Sequence, residues 1–417
     1  MDTSMVESTQ QMLRPGKCVD LYYPDPETAE KQCFRTTVNT KFSQAFTNLG
    51  GGVSTFTLPP SNGYSDIMCI LKFPSAPGGG LALPRAWGYA AIRSITYRIG
   101  GSSQYSLSGA QMLQAALETC SDAAARDSLY SLGGQSVSGV SGNFTDANTY
   151  AYVWLKLPFT TPSAEGKLPP LPSDLLTQQI VIQVELNPLS SFVSNNGGTV
   201  PTALQSASFF AQQVQFQNQG DSLARRVDMT SNSLSFPVEF VQQQMSIPLN
   251  TTAAPQTVSI SGFRSGEVKA LKLWITSSDD TIATAQNPLL WTRPQSVIVT
   301  YAGDQYARYD ADSGALWNLV NGKFAPEVAG NTISYAGGAY VNTPASYGWL
   351  SVPFAQAYVP TTAHSMYVSG KEVLNGVVQI QLSVPATASA KAGLVLNVSA
   401  VYNSVLVFGS GTCDYAF

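Results

Sequence analysis

The chain repeats itself. WLKLPF at Trp154–Phe159 returns as WLSVPF at Trp349–Phe354, 195 residues later. IQVEL at Ile182–Leu186 returns as VQIQL at Val378–Leu382, 196 residues on. SITYRIGG, from Ser94, is answered by SVIVTYAG, from Ser296, at an offset of 202. The apolar run Ile67–Phe73 is answered by Leu271–Ile275, an offset of 204 from Ile67 to Leu271. One short match between strands can arise by chance; four in the same order at nearly constant spacing point to duplication. A period of about 200 residues is far too long for a solenoid coil or a propeller blade, and leaves each copy enough strands to close its own sandwich.

Both copies read as strands. In the first, VSTFTLPP (53–60), DIMCILKF (66–73), AAIRSITYRIG (90–100), AYVWLKLPF (151–159) and QQIVIQVELNPL (178–189) are β-branched or aromatic runs bounded by Gly, Pro, Ser or Asn. Ile180, Ile182, Val184 and Leu186 alternate with Val181, Gln183 and Glu185, so one face of that strand meets a core. The second copy has TVSISGF (257–263), EVKALKLWIT (267–276), SVIVTYAG (296–303), YGWLSVPF (347–354), GVVQIQLSVP (376–385) and GLVLNVSAVYNSVLVFGSG (393–411). In the WLxxPF motif, Trp and Phe are expected on a core, with Pro ending the ladder.

One segment, 108–134, predicts helix. Ser108 and Gln111 stand in capping-box spacing, Met112, Ala115, Ala116 and Thr119 follow at helical intervals, and Gly133–Gly134 is a stop. Ser121–Asp122 could cap a second helix there, and the insertion is expected to serve as surface or contact material. QFQNQGDSLARRVDMTSNS (215–233) is polar and without strand period, which makes it the best boundary between the copies. The expected organisation is 1–34 as an N-terminal segment, 35–214 and 234–417 as sandwiches, and 215–233 as linker.

Composition narrows function by exclusion. His364 is the only histidine, so sites that need two or more imidazoles are excluded. Its surroundings, VPTTAHSMYVSG, offer no nearby acid except Glu372, and it reads as a loop or interface residue. Cys18, Cys33, Cys69, Cys120 and Cys413 contain no CxxC pair and read as thiols rather than a disulfide framework. Asp310 with Asp312, and Asp279 with Asp280, read as turns rather than cation loops. Gly50–Gly52, Gly78–Gly80 and Gly337–Gly338 lack the Lys-Ser/Thr of a phosphate loop. Glu185 with Glu239 or Glu267 has no spacing that argues for a glycosidase pair. Arg225–Arg226 is a weak warrant for nucleic acid in a chain of net charge −4, and no sequence-specific nucleic-acid binding is expected. No run of 18 apolar residues predicts a transmembrane segment, and the first ten residues do not read as a secretion signal, so the sequons at Asn143, Asn250 and Asn397 read as chance. No catalytic, cofactor or metal residue is expected. Only 12% of residues are charged, against about 25% in ordinary soluble domains. A surface rich in Ser, Thr, Asn and Gln, with 19 Tyr and 18 Phe as anchors, can be buried against neighbours without a large ionic desolvation cost.

Several local patterns then coincide: Ile99-Gly100-Gly101 before a polar turn and helix; Leu157-Pro158-Phe159; Leu168-Pro169-Pro170-Leu171-Pro172 before the alternating strand; Val352-Pro353-Phe354; Ser369-Gly370 with Asn375; and Ala400-Val401-Tyr402-Asn403 followed, past Ser404 and Val405, by Leu406 and Gly409. Over roughly 35–411 the chain resembles the double jelly-roll major capsid proteins of icosahedral double-stranded DNA viruses, in the branch of large nucleocytoplasmic viruses, virophages and polinton-like viruses. The resemblance implies an all-β chain of two consecutive eight-stranded antiparallel jelly-roll β-sandwiches, with a short helical insertion in the first. It further implies a non-enzymatic virion subunit, assembled inside the host cell. That subunit would trimerise into a pseudo-hexagonal capsomer and tile a shell around a double-stranded DNA genome. Its partners would be neighbouring capsomers and penton and minor capsid proteins, with residues 1–34 facing the interior. A carbohydrate-binding or adhesive β-sandwich is the alternative.

Overall fold

In the computed structural model the described residues are 36–75, 80–100, 103–119, 123–134, 149–155, 173–195, 198–216, 234–241, 245–251, 254–264, 266–280, 288, 291–292, 294, 296–309, 332–335, 338–341, 348–353, 371–372, 377–385, 389, 391–409 and 411–416. The first half forms β1 (Thr36–Ala45), β2 (Gly52–Thr57), β3 (Gly63–Lys72), β4 (Leu81–Ala82), β5 (Ile92–Ile99), β6 (Ser103–Ser108), β7 (Tyr150–Trp154), β8 (Val181–Leu186), β9 (Ser194–Asn195) and β10 (Ser206–Phe216). The second half forms β11 (Leu234–Val241), β12 (Met245–Pro248), β13 (Gln256–Ile260), β14 (Glu267–Thr276), β15 (Ser296–Tyr301), β16 (Asp304–Tyr309), β17 (Thr332–Tyr335), β18 (Gly338–Val341), β19 (Leu350–Pro353), β20 (Lys371–Glu372), β21 (Val378–Ser383), β22 (Val395–Gly409) and β23 (Thr412–Ala416).

In the first half one sheet runs β1-β10-β3-β7 and the other β2-β8-β5-β6; in the second half the corresponding paths are β11-β22-β14-β19 and β13-β21-β15-β16. Numbered one to eight in chain order, the principal strands of either half give 1-8-3-6 facing 2-7-4-5. Every pairing within these four paths is antiparallel. This order, with first and last strands adjacent, is a jelly-roll, and it occurs twice. All four repeated sequence segments fall on equivalent strands: β3 and β14, β5 and β15, β7 and β19, β8 and β21. One repeat is out of register. Trp154 ends β7 and is 44% exposed, whereas Trp349 precedes β19 and is 5% exposed. The core role expected for the motif's tryptophan therefore holds in the second copy only.

Each roll closes on the inward residues of its strands. Ile180, Ile182, Val184 and Leu186 are all buried, as the alternation requires. In the first roll Phe209 of β10 stacks on Phe56 of the facing sheet, ring centroids 4.4 Å apart, and Phe46 meets Phe56 edge-on at 4.9 Å. In the second, Val297, Val299, Ile380 and Leu382 are buried on one sheet and Leu271, Leu273, Val352 and Val398 on the other. The β15–β16 hairpin closes through Ala302 (φ 52°) and Gly303 (φ 88°), the positive pair that matches strand twist in a two-residue loop.

The insertion of the first roll forms two helices, while the cap candidates Ser121 and Asp122 lie outside the described residues. A one-turn helix α1 (Trp87–Ala91) precedes them; α2 spans Gly109–Thr119 and α3 Ala123–Leu132. The capping box closes reciprocally: Gln111 N–H donates to Ser108 Oγ at 3.1 Å, and Ser108 N–H to Gln111 Oε1 at 3.0 Å. Residues Gln111–Ala115 are all buried. In the insertion α2 is therefore contact material, while α3 leaves Asp127, Ser128, Ser131 and Leu132 at the surface.

Candidate functional site

Among the described residues no three His, Cys, Asp or Glu side chains come together as a metal site. His364, Asp310, Asp312, Arg225 and Arg226 lie outside the described residues, as do segment 1–34 and residues 217–233 of the linker. Cys69 and Cys413 are buried free thiols. Asp280 accepts the Ser277 N–H at 2.8 Å and pairs with Lys391 at 2.7 Å, while Asp279 accepts the Ala392 N–H at 2.7 Å. These two acids pin a strand-end turn to the start of β22, the role their sequence suggested. Glu185 is held by Arg93 and Ser94, each at 3.0 Å, on the first roll. Glu239 and Glu267 belong to β11 and β14 of the second roll. Asn397 is 1% exposed and donates to Thr276 Oγ1 at 2.8 Å, so the folded chain offers that sequon no glycan access.

The distinctive chemistry is instead where the rolls meet. β22 is long enough to serve two partners on one side, β14 along Val395–Tyr402 and β23 along Val405–Gly409. β11 pairs with it on the other side through Phe408. This extension of the second roll's sheet lies against the β5–β6 hairpin of the first. Tyr105 of β6 packs on Phe240 at 5.2 Å and on Tyr415 at 6.2 Å, and Phe240 meets Tyr415 at 5.3 Å. The Tyr105 hydroxyl accepts the Val241 N–H at 3.4 Å. The hairpin turn is at Gly100 (φ 64°), where an added Cβ would lie 2.6 Å from Cys413 N. Thr177 N–H and Oγ1–H both donate to the Gly411 carbonyl, at 2.9 and 3.0 Å. Further along, Gln111 of α2 donates to Ser399 Oγ of β22 at 3.5 Å.

That last contact falls on the outward face of the second roll's sheet. Ala270, Lys272 and Trp274 of β14 share this face with Ser399 and Asn397 of β22, and all five are buried. α2 covers it near Ser399, and Trp291 stacks on Trp274 at 4.5 Å. The equivalent face of the first roll is half-buried rather than buried. Its paired rows are Phe210, Met68 and Trp154, then Ser208, Ile70 and Tyr152, then Ser206, Lys72 and Tyr150. Of these nine, Trp154 and Ser206 are exposed and the other seven half-buried; six are aromatic or aliphatic, two are serine and one is lysine.

No family model matches the sequence, and no curated protein does. Solved structures do match. VP54 of PBCV-1, a crystal structure fitted into a reconstruction of the virophage Sputnik, is 14% identical over 96% of this chain and 99% of its own, with a TM-score of 0.63. The Faustovirus major capsid protein is 10% identical over 97% of this chain and 96% of its own, at 0.59. A chain of the Sputnik virophage structure is 12% identical over 97% and 92%, at 0.55. The fold is the double jelly-roll.

Sequence reading of this double jelly-roll missed the junction residues Tyr105, Phe240, Cys413 and Tyr415. The available signal was the Gly100 turn and the surplus of aromatics, neither of which names a partner. Burial raises the Tyr97 and Tyr415 hydroxyls well above the ordinary tyrosine value near 10, with neighbouring Cys and Tyr groups adding to it. Burial likewise pushes the Cys413 thiol up, and the Tyr402 hydroxyl up to about 12. Above pH 10 the unfolded chain has released protons that the native junction still holds. Stability is then fully present below about pH 9, where the unfolded Cys413 thiol begins to ionise, and falls as pH rises toward the native values, by up to about 1.4 kcal/mol per pH unit for each such group. Melting temperature should be flat from pH 7 to about 9 and drop steeply above. The Tyr97 hydroxyl has no protein partner among the described residues. Tyr97→Phe should therefore stay within about 1 kcal/mol of wild type at pH 7 and make the alkaline drop shallower. A drop of unchanged steepness in Tyr97→Phe would remove Tyr97 from the cause.

Proposed function

We propose that this chain is the structural subunit of an icosahedral viral capsid that encloses double-stranded DNA. Three copies associate into a pseudo-hexagonal capsomer that contacts neighbouring capsomers and penton and minor capsid proteins. The observation that carries the reading is the doubled 1-8-3-6/2-7-4-5 strand order, in a chain whose fold matches, along nearly the whole of both chains, a protein named as a major capsid protein. A duplicated domain gives three-fold symmetry a physical use, because two similar rolls per chain make six similar edges in a three-chain ring. The low charge fits a subunit that buries much of its surface in neighbours.

The test is mass in solution. Light scattering coupled to size exclusion should give a species of about 133 kDa, three chains of 44.4 kDa, with hexagonal arrays or particles at high concentration. A monomer whose mass does not change with concentration would sink the capsomer reading. Glycan-array binding by that monomer would favour the carbohydrate-binding alternative.

A further inference from the structure

The contact between the two rolls has two ends of different chemistry. At one end backbone hydrogen bonds cross from roll to roll and apolar rings interlock. Thr177 of the first roll donates twice to the Gly411 carbonyl, and Val241 N–H of the second donates to the Tyr105 hydroxyl. Tyr105, Phe240 and Tyr415 form one aromatic cluster there. The other end lies back along β22, from Leu406, which pairs with Tyr415, to Ser399, about 20 Å of strand at about 3.3 Å per residue. Here the groups are polar. α2 brings Gln111 and Gln114, neighbours on the helix surface, while β14 and β22 bring Lys272, Ser399 and Asn397, and all five are buried.

Two of these polar groups are already bonded within their own rolls. Gln111 Oε1 accepts the Ser108 N–H of the capping box, and Asn397 donates to Thr276 Oγ1 at 2.8 Å and accepts from Ser246 Oγ at 2.9 Å. The bond that crosses, Gln111 Nε2 to Ser399 Oγ, is 3.5 Å long, outside the usual N–H···O range. Gln114 Nε2 is buried with no protein partner among the described residues, so water at this end would satisfy a donor that burial leaves orphaned. Opening the polar end therefore costs little, whereas opening the aromatic end exposes rings and breaks backbone bonds. We propose that the two rolls hinge about the Tyr105–Phe240–Tyr415 end and part at the α2 end. Water then enters between α2 and the β14–β22 face while each roll stays folded. Trp291 belongs to the second roll and keeps its stack on Trp274 in either position. Under the capsid reading, such freedom lets one chain meet neighbours at more than one angle, but the hinge itself does not depend on that reading.

Thiol labelling of the folded, full-length chain tests the hinge. Ser399→Cys and Gln114→Cys, made separately, place a probe on each wall of the opening. Cys69, in the core of the first roll, and Cys413, at the hinge, are buried native thiols that serve as references in the same molecule. Iodoacetamide is added below the unfolding transition, and modification is read cysteine by cysteine by mass spectrometry. The two introduced thiols should react within about threefold of each other, at least about tenfold faster than Cys69 and Cys413, and with little dependence on urea. Introduced thiols that react no faster than Cys69 overturn the hinge. A fast thiol on one wall with a slow one on the other also overturns it, because the event is then a local fluctuation of one element. Cys413 keeping pace with both probes overturns it too, since the rolls then separate without a fixed end. None of these outcomes touches the capsomer reading, which stands or falls on mass in solution.

Discussion

Deleting residues 412–417 should split one cooperative unfolding transition into two. The segment contains β23, whose Cys413 is buried and whose Tyr415 packs against both Tyr105 of the first roll and Phe240 of the second. Removing it exposes the β22 edge from Val405 to Gly409 and unpacks the Tyr105–Phe240–Tyr415 cluster. One tyrosine buries about 150–250 Å², so the loss is on the order of 4 kcal/mol before the backbone ladder is counted. Neither sandwich uses β23 among its eight principal strands, so each roll keeps its own core and folds. What is lost is the coupling between them. Calorimetry of the deleted chain should therefore show two separated transitions where the full chain shows one. A single transition at the original temperature would mean that β23 does not join the rolls.

The contrast between strands and junction marks how far the sequence could be read. All eleven strands picked out by β-branched runs are present, because alternation such as Ile180–Leu186 leaves only one face to bury. Others were hidden. β6 (SQYSLS) and β1 (TTVNTKFSQA) are edge strands whose outward residues are polar, and β10 (SASFFAQQVQF) packs through Ala207, Phe209 and Ala211 rather than Val or Ile. Period two assigns residues to two faces but does not say what covers the outer one. Lys72 of β3 and Lys272 of β14 sit on equivalent outward faces; the second is 3% exposed because the first roll and Trp291 close over that sheet. Gln111 and Ser399 are 288 residues apart, and nothing local in either segment encodes their meeting.

Adjacent residues on β10 lie on opposite faces of one strand, and their substitution should separate a core loss from a surface one. Phe209 is fully buried, stacked on Phe56 at 4.4 Å and edge-on to Phe42 at 6.2 Å, so it ties the two sheets of the first roll together. Phe209→Ala leaves a cavity that the facing sheet cannot fill and should cost about 3–5 kcal/mol. In one cooperative transition of 417 residues that is a fall in melting temperature of about 4–6 °C. Phe210 points the other way, half-buried and paired with Met68 on the outward face. Phe210→Ala leaves no enclosed cavity and should stay within about 1 kcal/mol of wild type. Thermal melting of the two variants reads the difference. If Phe210→Ala lowers the melting temperature as much as Phe209→Ala does, the outward face of β10 is packed as tightly as the core.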